Sequence, residues 1–214
     1  MSTSGNSRTR IFLLSPAYAG GLRAKMIMSE RAQFELARRL RSADLPTLGE
    51  VFTFLSGLYF RGKLAYAKAF TPTFAADGSG VLVITPNRGL LDVDLRIGIA
   101  DLRKFGEVDI DADDPRYRKP LEKDVRRLAQ QLPADREVVL LGSIATGKYV
   151  DVLLQNFGER LLFPADFVGR GDMSRGGLLL RSAVDGCELN YIPVSGAIRK
   201  GKRPPKLEPR RYAR

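Results

Sequence analysis

The segment with the most chemical character is Gly142-Ser143-Ile144-Ala145-Thr146-Gly147-Lys148-Tyr149. It follows an apolar run and precedes a helical pattern. Its spacing is that of a phosphate loop, Gly-x4-Gly-Lys, but Tyr149 stands where a Ser or Thr would hold magnesium. The segment also comes late in the chain, whereas a P-loop nucleotidase places this strand first. The spacing therefore predicts a helix N-terminus whose backbone N–H groups, with Lys148, meet a phosphate or nucleobase. Gly142, Ser143, Thr146 and Gly147 are its other candidate contacts. The same residues also suffice for a tight strand-to-helix turn with no ligand.

Three further segments carry candidate groups. In Ser56-Gly57-Leu58-Tyr59-Phe60-Arg61-Gly62-Lys63, Arg61 and Lys63 can meet phosphates, Ser56 can donate a hydrogen bond and Tyr59 can stack on a base. The alternative is a helix start with ordinary surface cations. In Thr85-Pro86-Asn87-Arg88-Gly89-Leu90-Leu91-Asp92-Val93-Asp94, Asn87 and Arg88 follow an apolar strand, where α/β sheets place ligands, and Asp92 can act as a general base. A turn with an Asp cap explains the same residues. In Val168-Gly169-Arg170-Gly171-Asp172-Met173-Ser174-Arg175-Gly176-Gly177, Arg170 and Arg175 can fork onto phosphate oxygens, Ser174 adds a hydroxyl and Asp172 is a second candidate base. A mobile loop with a routine ion pair is the plain alternative.

Composition removes other chemistries. The 214 residues contain no histidine, one cysteine and no tryptophan. Ser-His-Asp and Cys-His catalysis, His-bearing or multi-Cys zinc sites and a disulfide framework are excluded within the chain. Catalysis would fall to carboxylates, lysine and tyrosine. Asp109-Ile110-Asp111-Ala112-Asp113-Asp114 opens like a calcium loop, but Asp114 stands where glycine is needed and Pro120 where the bidentate glutamate is needed. No metal or cofactor is expected, and Cys187 reads as a small packing residue.

The elements that must position these groups alternate. Strands are expected over 11–15, 50–56, 81–86, 137–142 and 160–164, the last of these closing the core. Helices are expected over 29–43, capped by Ser29, and over 59–70, 99–106, 114–132 and 147–157, with a turn at 77–80. This rhythm predicts an α/β fold: a single domain over 11–198, with a mostly parallel sheet flanked by helices on both faces. The run at Ile11–Ala19 is short, and Pro16 interrupts it. No stretch reaches the roughly 20 apolar residues of a membrane span. A cytoplasmic protein with no membrane partner is expected.

Residues 1–10 read as a flexible N-terminus and 199–214 as a basic, Pro-rich flexible tail. Of the net charge of +11, the tail carries +7, from eight Lys/Arg and one Glu. Arg199, Lys200, Lys202, Arg203, Arg210 and Arg211 are its candidate polyanion contacts. Seven neutralised phosphates would give a salt slope of about −6 on B-DNA. A solvated tail without a partner is the alternative.

Several motifs together resemble the bacterial peroxide-stress YaaA-type family: Leu14-Ser15-Pro16-Ala17, Leu55-Ser56-Gly57-Leu58-Tyr59 and Arg88-Gly89-Leu90-Leu91-Asp92. Tyr18 replaces the family lysine, and the Ser-Gly-Leu-Tyr and Gly-Leu-Leu-Asp pieces are separated rather than contiguous. Val139-Leu140-Leu141-Gly142 with Tyr149-Val150-Asp151-Val152-Leu153 also resembles a small bacterial family of the same layout. The resemblance spans short motifs over 11–154 and implies an α/β DNA-binding protein linked to protection of DNA from damage. It carries over no catalytic residues.

The leading expectation is a nucleic-acid-binding protein, DNA before RNA, acting in DNA protection or processing. The alternatives are a hydrolase or glycosylase acting on a nucleotide, nucleoside phosphate or nucleobase, and a non-enzymatic protein docking on an acidic or RNA surface.

Overall fold

The computed structural model describes residues 10–71 and 80–209. Among these residues, six strands form one sheet: β1 (Arg10–Leu14), β2 (Val81–Ile84), β3 (Leu90–Asp92), β4 (Glu137–Leu141), β5 (Leu161–Pro164) and β6 (Tyr191–Pro193). Their order is β3-β2-β1-β4-β5-β6. The four central strands are parallel, β3 is antiparallel to β2, and β6 is antiparallel to β5. This is a single α/β domain with a mostly parallel mixed sheet. Phe12, Leu13 and Leu14 of β1 and Val138 to Leu141 of β4 are fully buried, as central strands covered on both faces must be.

Among the described residues, eight α-helices surround the sheet: α1 (Leu22–Met28), α2 (Glu35–Arg39), α3 (Leu48–Ser56), α4 (Leu58–Phe70), α5 (Ile99–Gly106), α6 (Pro115–Gln131), α7 (Gly147–Phe157) and α8 (Asp172–Asp185). They pack in two main groups, α3 and α4 with α8, and α6 with α7. Among the described residues, no helix is long and apolar enough to cross a membrane.

Four expectations are corrected. The segment 50–56, rich in β-branched and aromatic residues, is not a strand but most of α3. Thr47 and Glu50 close a capping box at its start, and Leu48, Val51, Phe52 and Leu55 fall on one buried helical face. The expected helix over 29–43 is reduced to the short α2, and Ser29 ends α1 rather than capping a helix start. The strand at 160–164 is not the last, since β6 pairs with it. Cys187 is exposed beyond the end of α8 and packs no core. Residues 77–79 of the expected turn lie outside the described residues.

The basic segment beyond Ile198 runs against α8 as far as Glu208. Arg199 pairs with Asp151 on α7 at 3.5 Å. The Arg170 guanidinium donates to the Pro205 carbonyl at 3.2 Å, and Arg181 to that of Glu208 at 2.6 Å. The backbone of Lys202 approaches Gly169 so closely that a Cβ there would clash with its carbonyl oxygen. Arg210 and Arg211 lie outside the described residues.

Candidate functional site: a cleft at the switch point of the sheet

The chain leaves β1 towards β2 on one side, while β4, on the other side of β1, continues outward to β5. The strand order therefore reverses between β1 and β4, and a crevice opens beyond their carboxyl ends, where sheets of this kind bind ligands. The crevice is a cleft of about 610 Å³. It is lined by Ser15, Pro16, Ala17 and Tyr18 after β1, Ser56 and Tyr59 from α3 and α4, and Asp109 to Asp111 before α6. Ser143, Lys148, Tyr149 and Asp172 complete it. The two strand ends are tied by the Ser15 amide, which donates to the Leu141 carbonyl at 3.1 Å. Gly142 is required there: a Cβ would stand 2.8 Å from that of Ser15 and 3.0 Å from the Tyr149 hydroxyl.

Beneath this floor lies Lys63, only 1% exposed. Its ammonium nitrogen donates to the Ser15 carbonyl at 2.6 Å and lies 2.9 Å from the Ser15 hydroxyl. It sits 4.6 Å from the ring centre of Tyr59 and 4.7 Å from that of Phe60. No carboxylate pairs with it among the described residues. Burial lowers its pKa to about 7, against a smaller upward pull from the charge of Asp172. An amine in this state changes protonation near neutrality, as a catalytic base must.

Two tyrosines flank the lysine. The Tyr149 hydroxyl donates to the Ser143 carbonyl at 2.8 Å. Burial pushes its pKa up to about 12, against the opposing pull of a side-chain hydrogen bond from Ser15. Lys63, Ser15, Tyr149 and Ser143 thus form a continuous polar chain along the cleft floor. The Tyr59 hydroxyl is buried without a well-formed hydrogen bond, and desolvation raises its pKa. The Arg175 and Asp172 charges act on it in opposite directions.

Among the sequence candidates, the cleft brings together Ser56, Tyr59, Ser143, Lys148 and Asp172, with Gly142 in its floor. Thr146 and Gly147 form the adjoining start of α7, where Thr146 makes no side-chain cap. Lys63 belongs to the site from below, not as a surface phosphate contact. Tyr59 lies in the first turn of a helix, α4, that follows another helix, not a strand.

The other candidates are placed elsewhere. Arg61 is exposed on α4. Asn87 donates to the Lys104 carbonyl at 2.6 Å and Arg88 pairs with Asp101 at 3.1 Å, so both fasten the β2–β3 turn to α5. Asp92 accepts from the Asp94 amide within β3 and its turn, outside the cleft lining. The segment 168–177 is not one loop: α8 begins at Asp172. Arg175 is committed to the Phe167 carbonyl at 3.2 and 3.1 Å, and Arg170 binds the Asp166 carbonyl and the Ser174 hydroxyl. Neither arginine lines the cleft.

Sequence reasoning singled out neither Ser15 nor Tyr149 as a functional group, and it discarded Asp109 and Asp111 with the failed calcium loop. The position of Ser15, directly after the first buried strand, was the available signal. Among the described residues, no group of three or more His, Cys, Asp or Glu side chains is placed to hold a metal ion. The cleft lining carries Asp109, Asp111 and Asp172 against Lys148, an acidic balance despite the basic chain. Comparison with protein-family models, with curated proteins and with solved structures finds no match.

Proposed function

We propose that this protein is a hydrolase-type enzyme that binds a nucleoside or nucleobase-bearing ligand in the switch-point cleft. One observation carries the reading: a buried lysine without a carboxylate partner is held by Ser15 at the floor of that cleft. Burying an amine without a counter-charge is costly, and such groups concentrate where chemistry uses them. The cleft volume suits a ligand of nucleoside size. Tyr18 and Tyr59 offer aromatic surface for a base. Lys148 and the uncapped start of α7 accommodate one polar or singly phosphorylated end. The three aspartates disfavour a polyphosphate.

The test is a panel of nucleosides, their 5′-monophosphates and free nucleobases, titrated into the full chain by calorimetry. At least one nucleoside should bind in the micromolar to millimolar range, more tightly than its triphosphate. Lys148→Ala should weaken the monophosphate by about 10- to 100-fold and leave the nucleoside unchanged, because a charge-assisted hydrogen bond contributes about 1.5–3 kcal/mol. Absence of binding across the panel would remove the reading.

A second reading is supported by the basic segment, which runs against α8 with Lys200, Lys202 and Arg203 exposed. In it, the protein binds nucleic acid, DNA before RNA, with the segment tracking phosphates. Fluorescence anisotropy over a salt series should then show steep salt dependence. Changing Lys200, Lys202 and Arg203 together to Gln should lower the slope by about 2 to 3, at roughly 0.9 per lost phosphate contact. An unchanged slope would leave the segment without that role.

A further inference from the structure

We propose that Ser15 is a catalytic nucleophile activated by Lys63, and that the bond it attacks is an acyl ester. The inference rests on the cleft reading for where the substrate sits, but not on the identity of the nucleoside.

Ser15 is the residue at which the cleft and the buried lysine meet. It lines the cleft, so a ligand can reach it. Its hydroxyl lies 2.9 Å from the Lys63 nitrogen, within the reach expected of a nucleophile and its base. The hydrogen-bond inventory closes in both protonation states. A neutral Lys63 amine donates one N–H to the Ser15 carbonyl and accepts the Ser15 hydroxyl proton on its lone pair. A charged Lys63 donates to both Ser15 oxygens, and the serine hydroxyl turns to Tyr149. The lysine is fixed by its burial and by the Tyr59 and Phe60 rings, so the pair is preorganised. A Ser–Lys pair performs general-base-assisted acyl transfer without histidine, which this chain lacks.

The electrophile follows from charge. The cleft lining holds three aspartates against one lysine, an environment that repels a phosphodiester anion and accepts an uncharged carbonyl. In the acylation step, the Ser15 oxygen bonds to the ester carbonyl carbon and its proton passes to neutral Lys63. The carbon–oxygen bond to the alcohol then breaks. The alcohol oxygen leaves with the bonding electron pair and takes the proton back from the lysine. In the second step, water adds to the acyl-serine, again giving its proton to Lys63. The acid departs, and Ser15 regains its hydrogen. The sum is ester plus water to acid plus alcohol, with no oxidant or reductant.

The experiment is to incubate the full chain with a fluorophosphonate probe and with p-nitrophenyl acetate, and to map adducts by peptide mass spectrometry. The Ser15 peptide should carry the adduct, and the labelling rate should rise as pH increases through about 7. Ser15→Ala should abolish the adduct. Lys63→Met should slow it by about 100-fold or more, the lower range of general-base assistance. Thermal unfolding of each variant separates lost chemistry from lost fold. An adduct on Lys63 or another residue, or no adduct on a folded chain, would overturn the assignment. If nucleosides bind in the calorimetric panel while Ser15 stays unlabelled, only the nucleophile fails. If Ser15 labels and no nucleoside binds, only the ligand class fails.

Discussion

Replacing Lys63 by methionine raises thermal stability at pH 6 and lowers it at pH 10.5. The folded chain holds the lysine pKa at about 7, far below its ordinary 10.5, because burial strips the ammonium of water. Below pH 7 both folded and unfolded chains carry the proton, and the folded chain bears the full desolvation penalty. Between pH 7 and 10.5 the unfolded chain binds a proton that the folded chain does not, so wild-type stability rises with pH across this window. At 1.36 kcal/mol per pH unit, the rise is about 5 kcal/mol.

Methionine fills a similar volume and has no such dependence. It also leaves the Ser15 carbonyl and hydroxyl without their lysine partner, a loss of about 1–2 kcal/mol at every pH. The variant should therefore exceed wild type by about 3 kcal/mol at pH 6, match it near pH 9 and fall below it at pH 10.5. Denaturant unfolding of both proteins from pH 6 to 10.5 provides the check, because the other titrating groups cancel in the difference. A difference that stays flat with pH would mean that Lys63 keeps an ordinary pKa in the fold. The same curve bears on the proposed role, since a lysine that is neutral at pH 8 can take a proton from Ser15.

The course of the chain explains which parts of this site could be read in advance. The central strands and α6 were legible because each is strongly periodic or continuously apolar. The segment 50–56 misled because its Val, Phe and Thr favour strands, while Thr47 and Glu50, which fix it as a helix, lie partly outside it. The Gly-rich stretch at 168–177 misled in a different way. Its glycines suggest a loop, yet Gly176 sits inside α8 because another backbone occupies the space of its side chain. Lys63 reads as a surface cation because lysines seldom lie inside proteins. Yet Tyr59, Phe60, Lys63, Tyr66 and Ala67 follow helical spacing, and all five are buried on α4. That spacing put the lysine on the apolar face. What spacing could not supply was the crossing of α4 beneath the end of β1, a long-range contact set by topology. The same limit applies to Asn87, Arg88 and Asp92. Asn87 and Arg88 follow a strand as expected, but that strand is β2, one position away from the switch point, and Asp92 ends β3, one strand farther out.

Gly176→Ala should destabilise the protein although alanine is the better helix former, and Gly177→Ala, one position along, should do the reverse. At Gly176 an added Cβ would lie 2.7 Å from the Leu58 carbonyl oxygen and 2.8 Å from the Tyr59 Cα, backbone atoms of α4 that cannot turn aside. The reciprocal contact is as tight, since a Cβ on Gly62 would lie 2.5 Å from the Gly176 oxygen. Overpacking of this kind costs about 1–3 kcal/mol and more where only backbone can move. The gain in helix propensity is about 1 kcal/mol. Strain therefore wins at Gly176, for a net loss of about 2 kcal/mol. At Gly177 the nearest atom is a Leu207 methyl at 3.5 Å, an ordinary contact, so the propensity gain of up to about 1 kcal/mol remains. Denaturant midpoints of the two variants distinguish these signs, and a stabilised Gly176→Ala would show that α4 and α8 do not cross this closely. The consequence reaches the cleft, because α4 carries Tyr59 and Lys63 while α8 begins at Asp172. Pushing the helices apart moves the lysine relative to Ser15, whose hydroxyl it now meets at 2.9 Å. Gly176→Ala should accordingly slow probe labelling of Ser15 under conditions where the variant is still folded, and Gly177→Ala should leave it unchanged.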